Sequence, residues 1–450
     1  MPEALRDYQI ADLAFLIANP RALILHDPGG GKTPPVCVWA WWHWSERRKR
    51  TLWIMPNSLL KKNRDELLRF THFGPQDVEI VTKAPTPELM ARDPKVMLMS
   101  PTRFRMSWPE FLGAFPDIDA IAGDETHLYW TTGDSQTSMA LDRAMLKVGY
   151  FVGMTGTLIS GRYSSAYPLI RVLDPRYYPS YNQFLAEHAV LDDYGKPIAW
   201  HSPDKLVQVL GRHSIRRSFE SIYGPAAKIT QVERCVMATK QREAYKQFEA
   251  MALLELEDTT LVANTGAIHA LRCRQIMAHP ETMGLKVGVT GKDERLDIHL
   301  ADHAATGAPL VVFAPFVAEQ QRLLARVRAA GLTAELLNGT VPTKRRAEID
   351  EAFRNGRVQV LVGSPAVAGV GFNWGHCSHV IFTGLDYQDS NVVQSTWRFI
   401  RGARATPLLV TFLEYEDSID QRIMRIVEAK SQLAATITAG KETLSLVTTN

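Results

Sequence analysis

The chain has 450 residues, 46% of them apolar and 22% charged, an ordinary globular composition that excludes disordered, collagenous and fibrous classes. That length exceeds what one hydrophobic core supports, so two domains are expected. With 51 basic against 48 acidic residues the net charge is only +3, so any nucleic-acid surface must come from local clustering. Cys37, Cys235, Cys273 and Cys377 form no C-x-x-C pair and read as small buried hydrophobes in a reducing compartment. The N-terminus carries Glu3, Asp7 and Asp12 without a signal-peptide core. The longest nearly apolar run, Ala308–Ala318, is too short to span a bilayer, and a cytoplasmic protein without a membrane partner is expected.

Short apolar strands alternate with amphipathic helices along the chain, the pattern of an α/β protein with parallel sheets flanked by helices. In the first half, strands are predicted at Ala22–Leu25, Thr51–Met55, Val96–Ser100, Ala120–Ala122 and Tyr150–Val152, with helices over Thr33–Arg48 and Ser58–Phe70. A stretch of different texture, Tyr163–Ala304, is richer in helical pattern and in Tyr, His and Arg; it reads as a helical extension and insertion between two lobes. In the second half, strands are predicted at Leu310–Phe313, Val358–Val362, Val380–Phe382 and Leu408–Phe412, with helices at Phe316–Ala329 and Thr343–Phe353. The lobe boundary falls near Lys228, giving lobes 1–228 and 229–450.

His26-Asp27-Pro28-Gly29-Gly30-Gly31-Lys32-Thr33 follows the first strand and opens a helix, the context of a phosphate-binding loop. Gly29, Gly30 and Gly31 let backbone amides turn toward a polyphosphate. Lys32 is expected to reach the β- and γ-phosphates, and the Thr33 hydroxyl to hold magnesium. After the strand at Ala120–Ala122 come Asp124 and Glu125, at the sheet edge where α/β proteins bind ligands. Asp124 is expected near the metal, and Glu125 is expected to orient and deprotonate the attacking water.

With these two elements the chain resembles superfamily-two helicases, and within them the Swi/Snf-like branch of DNA translocases, over Leu5 to about Met424. Leu5-Arg6-Asp7-Tyr8-Gln9 resembles the opening motif, Asp124-Glu125-Thr126-His127 the DEAH box, and Thr155-Gly156-Thr157 the motif coupling hydrolysis to the nucleic-acid site. Leu337-Asn338-Gly339-Thr340 with Arg345, Arg346 and Phe353, then Ala368-Gly369-Val370-Gly371-Phe372-Asn373, then Gln394 through Arg398 to Arg401, resemble the second-lobe motifs. Ile215-Arg216-Arg217 and Leu271-Arg272, Gln275, His279-Pro280 resemble segments of the Swi/Snf branch. The chain departs from the family at His26, where the first loop glycine stands, at Asn63, where a tryptophan is frequent, and at Ile400 and Ala403.

The resemblance implies two RecA-like lobes, ATP and Mg2+ as cofactors, and double-stranded DNA as partner. Gln9 and Gly371 join the nucleotide site by resemblance, and Arg398 and Arg401 act as arginine fingers. The two arginines are read as lying i,i+3 on one helix face. Phosphate contacts to nucleic acid, or coupling to it, are expected from Asn57, Ser58, Arg103, Arg105, His127, Thr155, Thr157, Ser364, Asn373 and Gln394. An RNA helicase and a nucleotide-switched clamp that binds DNA or protein are the competing readings. A bare motor of this size suits a monomer in a bacterial or phage setting, or a subunit of a larger complex. The cluster Trp39, Trp41, Trp42 and Trp44, followed by Arg47–Arg50, reads as packing with a basic helix end, not as a base-stacking platform.

Overall fold

The structure is a computed structural model that describes all residues except 157, 159–162, 226, 258–263, 370, 387–388, 401–403, 405 and 429–450. The chain divides into two compact units, Met1–Ile222 and the described residues from Tyr223 onward.

In the first unit, the elements in chain order are α1 (Asp7–Ala18), β1 (Arg21–Ile24), α2 (Thr33–Arg47), β2 (Arg50–Ile54), α3 (Leu60–Phe70), β3 (Val78–Val81), α4 (Pro87–Arg92), β4 (Val96–Met99), α5 (Pro101–Ala114), β5 (Ile118–Asp124), α6 (Gln136–Ala144) and β6 (Tyr150–Met154). They continue with α7 (Tyr167–Leu173), α8 (Tyr181–His188), the hairpin β7 (Ala189–Leu191) and β8 (Pro197–Trp200), α9 (Pro203–His213) and β9 (Ser214–Ile215). Seven strands make one sheet in the order β3-β4-β2-β5-β6-β1-β9, and all its pairings are parallel. Helices cover such a sheet on both faces, so its central strands are continuous apolar runs rather than alternating ones. Arg-Thr-Leu-Trp-Ile in β2 and Val-Met-Leu-Met in β4 are buried at every position. Phe104, Phe111, Trp130, Phe151 and Phe184 fill the core beside them. The helices α7 to α9 share that core through Leu169, Ile170, Leu206 and Val209. The first part of the sequence's helical stretch is therefore an integral layer of the first unit.

The second unit runs β10 (Lys228–Cys235), α11 (Thr239–Glu257), α12 (Asn264–Ala278), α13 (Gly291–Thr306), β11 (Leu310–Phe313), α14 (Val317–Ala329), β12 (Ala334–Leu337), α15 (Thr343–Arg354), β13 (Val360–Gly363), α16 (Pro365–Ala368), β14 (His379–Phe382), α17 (Asp389–Thr396) and β15 (Leu408–Tyr415). Its six strands are also parallel, in the order β10-β15-β14-β11-β13-β12. Buried polar groups here are satisfied in a directed chain. Gln231 donates to Thr411 Oγ1 at 3.0 Å, Thr411 Oγ1 meets His379 Nε2 at 3.0 Å, and His379 Nδ1 meets His303 Nε2 at 2.9 Å. Burial, then the neighbouring His303, hold His379 at about 3, so the chain runs through neutral imidazoles. The four cysteines are all buried and free. Among the described residues no helix is long and apolar enough to cross a membrane.

Candidate active site

Parallel pairing brings the first unit's motifs to one edge of the sheet. Strands β2, β5, β6 and β1 are consecutive neighbours. Ile24 and Asp124 both lie level with Met154 in the register. The Lys32 loop leaves β1, Glu125–His127 leave β5, Thr155 leaves β6 and Asn57 and Ser58 follow β2, all at carboxyl ends. Strands lie about 4.8 Å apart, so the loop and Asp124, two strands removed, are separated by roughly 10 Å, a gap a polyphosphate with its metal can bridge.

The loop is built as the sequence requires, with one addition. Gly29 and Gly31 adopt φ of 84° and 66°, a left-handed conformation natural to glycine. A Cβ at Gly31 would lie 2.7 Å from the Tyr8 hydroxyl, and one at Gly30 2.9 Å from the Asp27 carbonyl. Lys32 Nζ donates to the carbonyls of His26 at 3.0 Å and Asp27 at 3.5 Å. Gln9 is buried; its Nε2 donates to the Gly31 carbonyl at 3.0 Å and its Oε1 accepts the Arg6 N–H at 2.9 Å. Gln9 thus ties α1 to the Lys32 loop.

His26, which departs from the glycine expected there, is the centre of a buried network. Its Nδ1 accepts the Arg217 N–H at 3.1 Å, which leaves Nε2 as the donor to Asp12 Oδ2 at 2.8 Å. Arg217 Nε donates to the other Asp12 oxygen at 2.8 Å. Burial is the largest influence on the His26 ring and lowers its pKa, consistent with the neutral tautomer this geometry needs. Asp27 extends the seam: its Oδ2 accepts the Phe219 N–H at 2.9 Å and its N–H donates to the Arg217 carbonyl at 3.1 Å. Glycine at 26 would leave Asp12 short of a donor, a loss of about 1–3 kcal/mol. The Ile215-Arg216-Arg217 segment therefore braces the Lys32 loop.

Two prolines limit what the next helix offers an anion. Thr33 opens α2 and Pro34 and Pro35 follow it in the first turn. Both fit helical φ, yet neither has an N–H, so two of the amides a helix start normally turns toward phosphate are missing. Pro34→Ala restores one, and ATP and ADP should bind about three- to tenfold tighter, the worth of roughly 1 kcal/mol for a hydrogen bond. Equilibrium titration with a fluorescent nucleotide measures this; unchanged affinity would show that the restored amide does not meet the phosphates.

The acidic half of the site is buried and tightly held. Burial first, and the charge of Glu125 second, push the Asp124 carboxyl up to about 6. Asn63 Nδ2 donates to its Oδ2 at 2.8 Å, and the charges of Lys62 and Lys32 act in the same stabilising direction. Glu125 has φ of 51°, a left-handed conformation uncommon outside glycine and enriched at functional sites. His127 Nδ1 shares a 2.8 Å hydrogen bond with Thr155 Oγ1 and lies 3.6 Å from Glu125 Oε2. The motif after β5 is thereby joined to the one after β6. Gly123 is required by packing, since a Cβ there would come within 2.5 Å of the Trp130 ring.

Among the described residues no three His, Cys, Asp or Glu side chains converge on a metal position. A metal at Thr33 and Asp124 would take its remaining ligands from phosphate and water, the ordinary magnesium–nucleotide arrangement. The flexible glycine cradle and the carboxylate pair fit such a group.

Asn57 and Ser58 are exposed, Arg103 is half-buried with Nη1 on Ser107 Oγ at 3.1 Å, and exposed Arg105 donates to Gln136. In the second unit, Gly371 has φ of 89°, Asn373 is exposed, Ser364 precedes α16 and Gln394 is buried against Gly369. Arg398 is buried and donates to the Gly369 carbonyl. It does not lie on a helix as the spacing suggested: α17 ends at Thr396, and the Trp374 N–H donates to the Arg398 carbonyl at 2.8 Å. Beyond α17 the chain continues in tighter turns, the Arg398 and Phe399 N–H groups donating to the Ser395 and Thr396 carbonyls at 3.1 Å each, with Phe399 and Ile400 buried. Arg401 and Thr157 lie outside the described residues. Trp39 is buried, Trp42 packs on His43 and Tyr150, and Lys95 lies 4.4 Å above Trp44; the tryptophans are packing, as expected. Asn63, Asp12 and Arg217 escaped sequence reasoning as site residues, because each works through contacts distant in the chain.

Residues 291–403 match the helicase conserved C-terminal domain. Over 170 residues, 38% of this chain and 17% of the other, it is 25% identical to a Caenorhabditis elegans homologue of the SWI/SNF-related matrix-associated actin-dependent regulator of chromatin, subfamily A, containing DEAD/H box 1. Over 120 residues, 26% of this chain and 11% of the other, it is 28% identical to Drosophila melanogaster transcription termination factor 2. The matches thus span less than a fifth of those relatives' lengths. The helicase domain of Pyrococcus furiosus Hef superposes with a TM-score of 0.56 at 15% identity, covering 93% of this chain and 97% of that one. The Sulfolobus solfataricus SWI2/SNF2 ATPase core, solved with double-stranded DNA, gives 0.44 at 20% identity over 98% and 94%. The fold is the RecA-like α/β architecture that the Hef helicase domain also has. Its sequence similarities thus lie with helicases, through the helicase C-terminal domain at residues 291–403 and a partial likeness to a SWI/SNF-related DEAD/H-box protein.

Proposed function

We propose that the chain hydrolyses ATP and couples each cycle to movement along double-stranded DNA. The observation that carries this reading is the common sheet edge holding the Lys32 loop, Asp124 and Glu125, with His127 tied to Thr155. Lys32 and the loop amides bind the phosphates, and Thr33 and Asp124 hold the metal. Magnesium, when bound, neutralises charge on the phosphate oxygens. Glu125 orients the attacking water and takes its proton. His127 and Thr155 pass the state of the site toward residues that grip nucleic acid. Arg398 and Arg401 supply positive charge for the transition state, Arg401 as the finger. The chromatin regulator among the relatives favours DNA over RNA.

ATPase assays with duplex DNA, single-stranded DNA and RNA side by side test the reading. Duplex DNA should raise the rate most, and triplex displacement should follow ATP consumption. Indifference to all three polymers would remove the motor, while stimulation by RNA alone would make it an RNA helicase.

A further inference from the structure

We infer that Asn63 is a positioning residue for the metal site, fixing Asp124 through its amide and accepting a hydrogen bond from a metal-held water through its Oδ1. The inference rests on the magnesium–ATP reading above and deepens it.

Asn63 lies in the first turn of α3, on a helix otherwise marked by Lys61, Lys62 and Arg64. It is completely buried, and so is most of Asp124. Its Nδ2 donates to Asp124 Oδ2 at 2.8 Å. No hydrogen bond reaches Asp124 Oδ1 from the described residues, so one carboxylate oxygen is fixed and the other is left for a cation. The far end of the same amide is the second observation. Asn63 Oδ1 is buried and has no hydrogen-bond partner among the described residues. A buried amide oxygen without a donor is costly and rare. It belongs to the same amide whose nitrogen is bonded to the Asp124 carboxylate. A water polarised by a divalent cation is a strong donor and would satisfy it. The tryptophan that the family resemblance leads one to expect at this position has one donor and no acceptor, and could not fill both roles.

The test is a Mg2+ titration of fluorescent ATP-analogue binding to the full chain, for the wild type, Asn63→Leu and Asn63→Ser. Both variants should need about tenfold more Mg2+ or greater for half-maximal binding, the usual effect of losing an outer-sphere partner. Affinity measured in EDTA should stay at the wild-type value, since no phosphate contact has changed. Thermal melts verify folding, and if the leucine variant does not fold, the serine variant decides alone. A purely structural asparagine would lower the melting temperature and leave the Mg2+ midpoint where it was, which overturns the inference. A wild type whose nucleotide binding ignores Mg2+ would overturn the underlying reading as well, so the two failures are distinguishable.

Discussion

Glu125→Gln should bind ATP as well as the wild type and lose turnover by about 10²–10⁴-fold, the contribution of a positioned general base. The side chain follows a strand end that holds Asp124, and its left-handed backbone is braced by the turn through Thr126–Leu128. Glutamine matches glutamate in shape and cannot take a proton, so geometry survives and chemistry does not. Losing the Glu125 charge also removes the second-largest influence raising the Asp124 carboxyl. Asp124 should then ionise more readily, and metal-dependent nucleotide affinity should hold or rise. Phosphate-release kinetics beside equilibrium nucleotide binding separate the two effects. Retained turnover would mean that another group activates the water.

Arg401→Ala should lower kcat by about 10³-fold or more while changing KM little, the pattern of a group that acts in the transition state of phosphoryl transfer. The proposed role rests on its position, three residues after Arg398 and seven after Gln394, which resembles the spacing of the helicase family's last motif. Arg398 makes the contrast. It is buried and bound to the Gly369 carbonyl, so Arg398→Ala should lose stability of the second unit as well as rate. Steady-state ATPase kinetics with thermal melts on both variants distinguish the two. A raised KM with intact kcat for Arg401→Ala would place that residue outside the transition state.

Much of the fold was legible because parallel strands buried on both faces leave contiguous apolar runs. The strand at Leu310–Phe313 matches the sequence reading residue for residue, and β1, β2, β4, β5 and β6 lie within a few residues of it. Strands β3, β10 and β12 were missed for the opposite reason. Each is at a sheet edge, and the half-buried patterns of Val-Glu-Ile-Val and Lys-Ile-Thr-Gln-Val-Glu-Arg-Cys carry little hydrophobic signal. The loop glycines and the Asp-Glu pair stood out as candidates because phosphate and metal chemistry constrain residue type at short spacing. Asn63 looked like a mere departure from a family pattern, since its partner Asp124 is 61 residues away.

By itself the sequence determined the buried strands with the helices around them, and it singled out the Lys32 loop and the Asp124–Glu125 pair as candidates, because those depend on local periodicity and on chemistry within a few residues. Only the tertiary structure decided why His26 replaces a glycine, what holds Asp124, and that Arg398 leaves its helix. Each of those depends on a buried polar group finding its partner across the fold, and a buried group's partner is chosen by packing rather than by proximity along the chain.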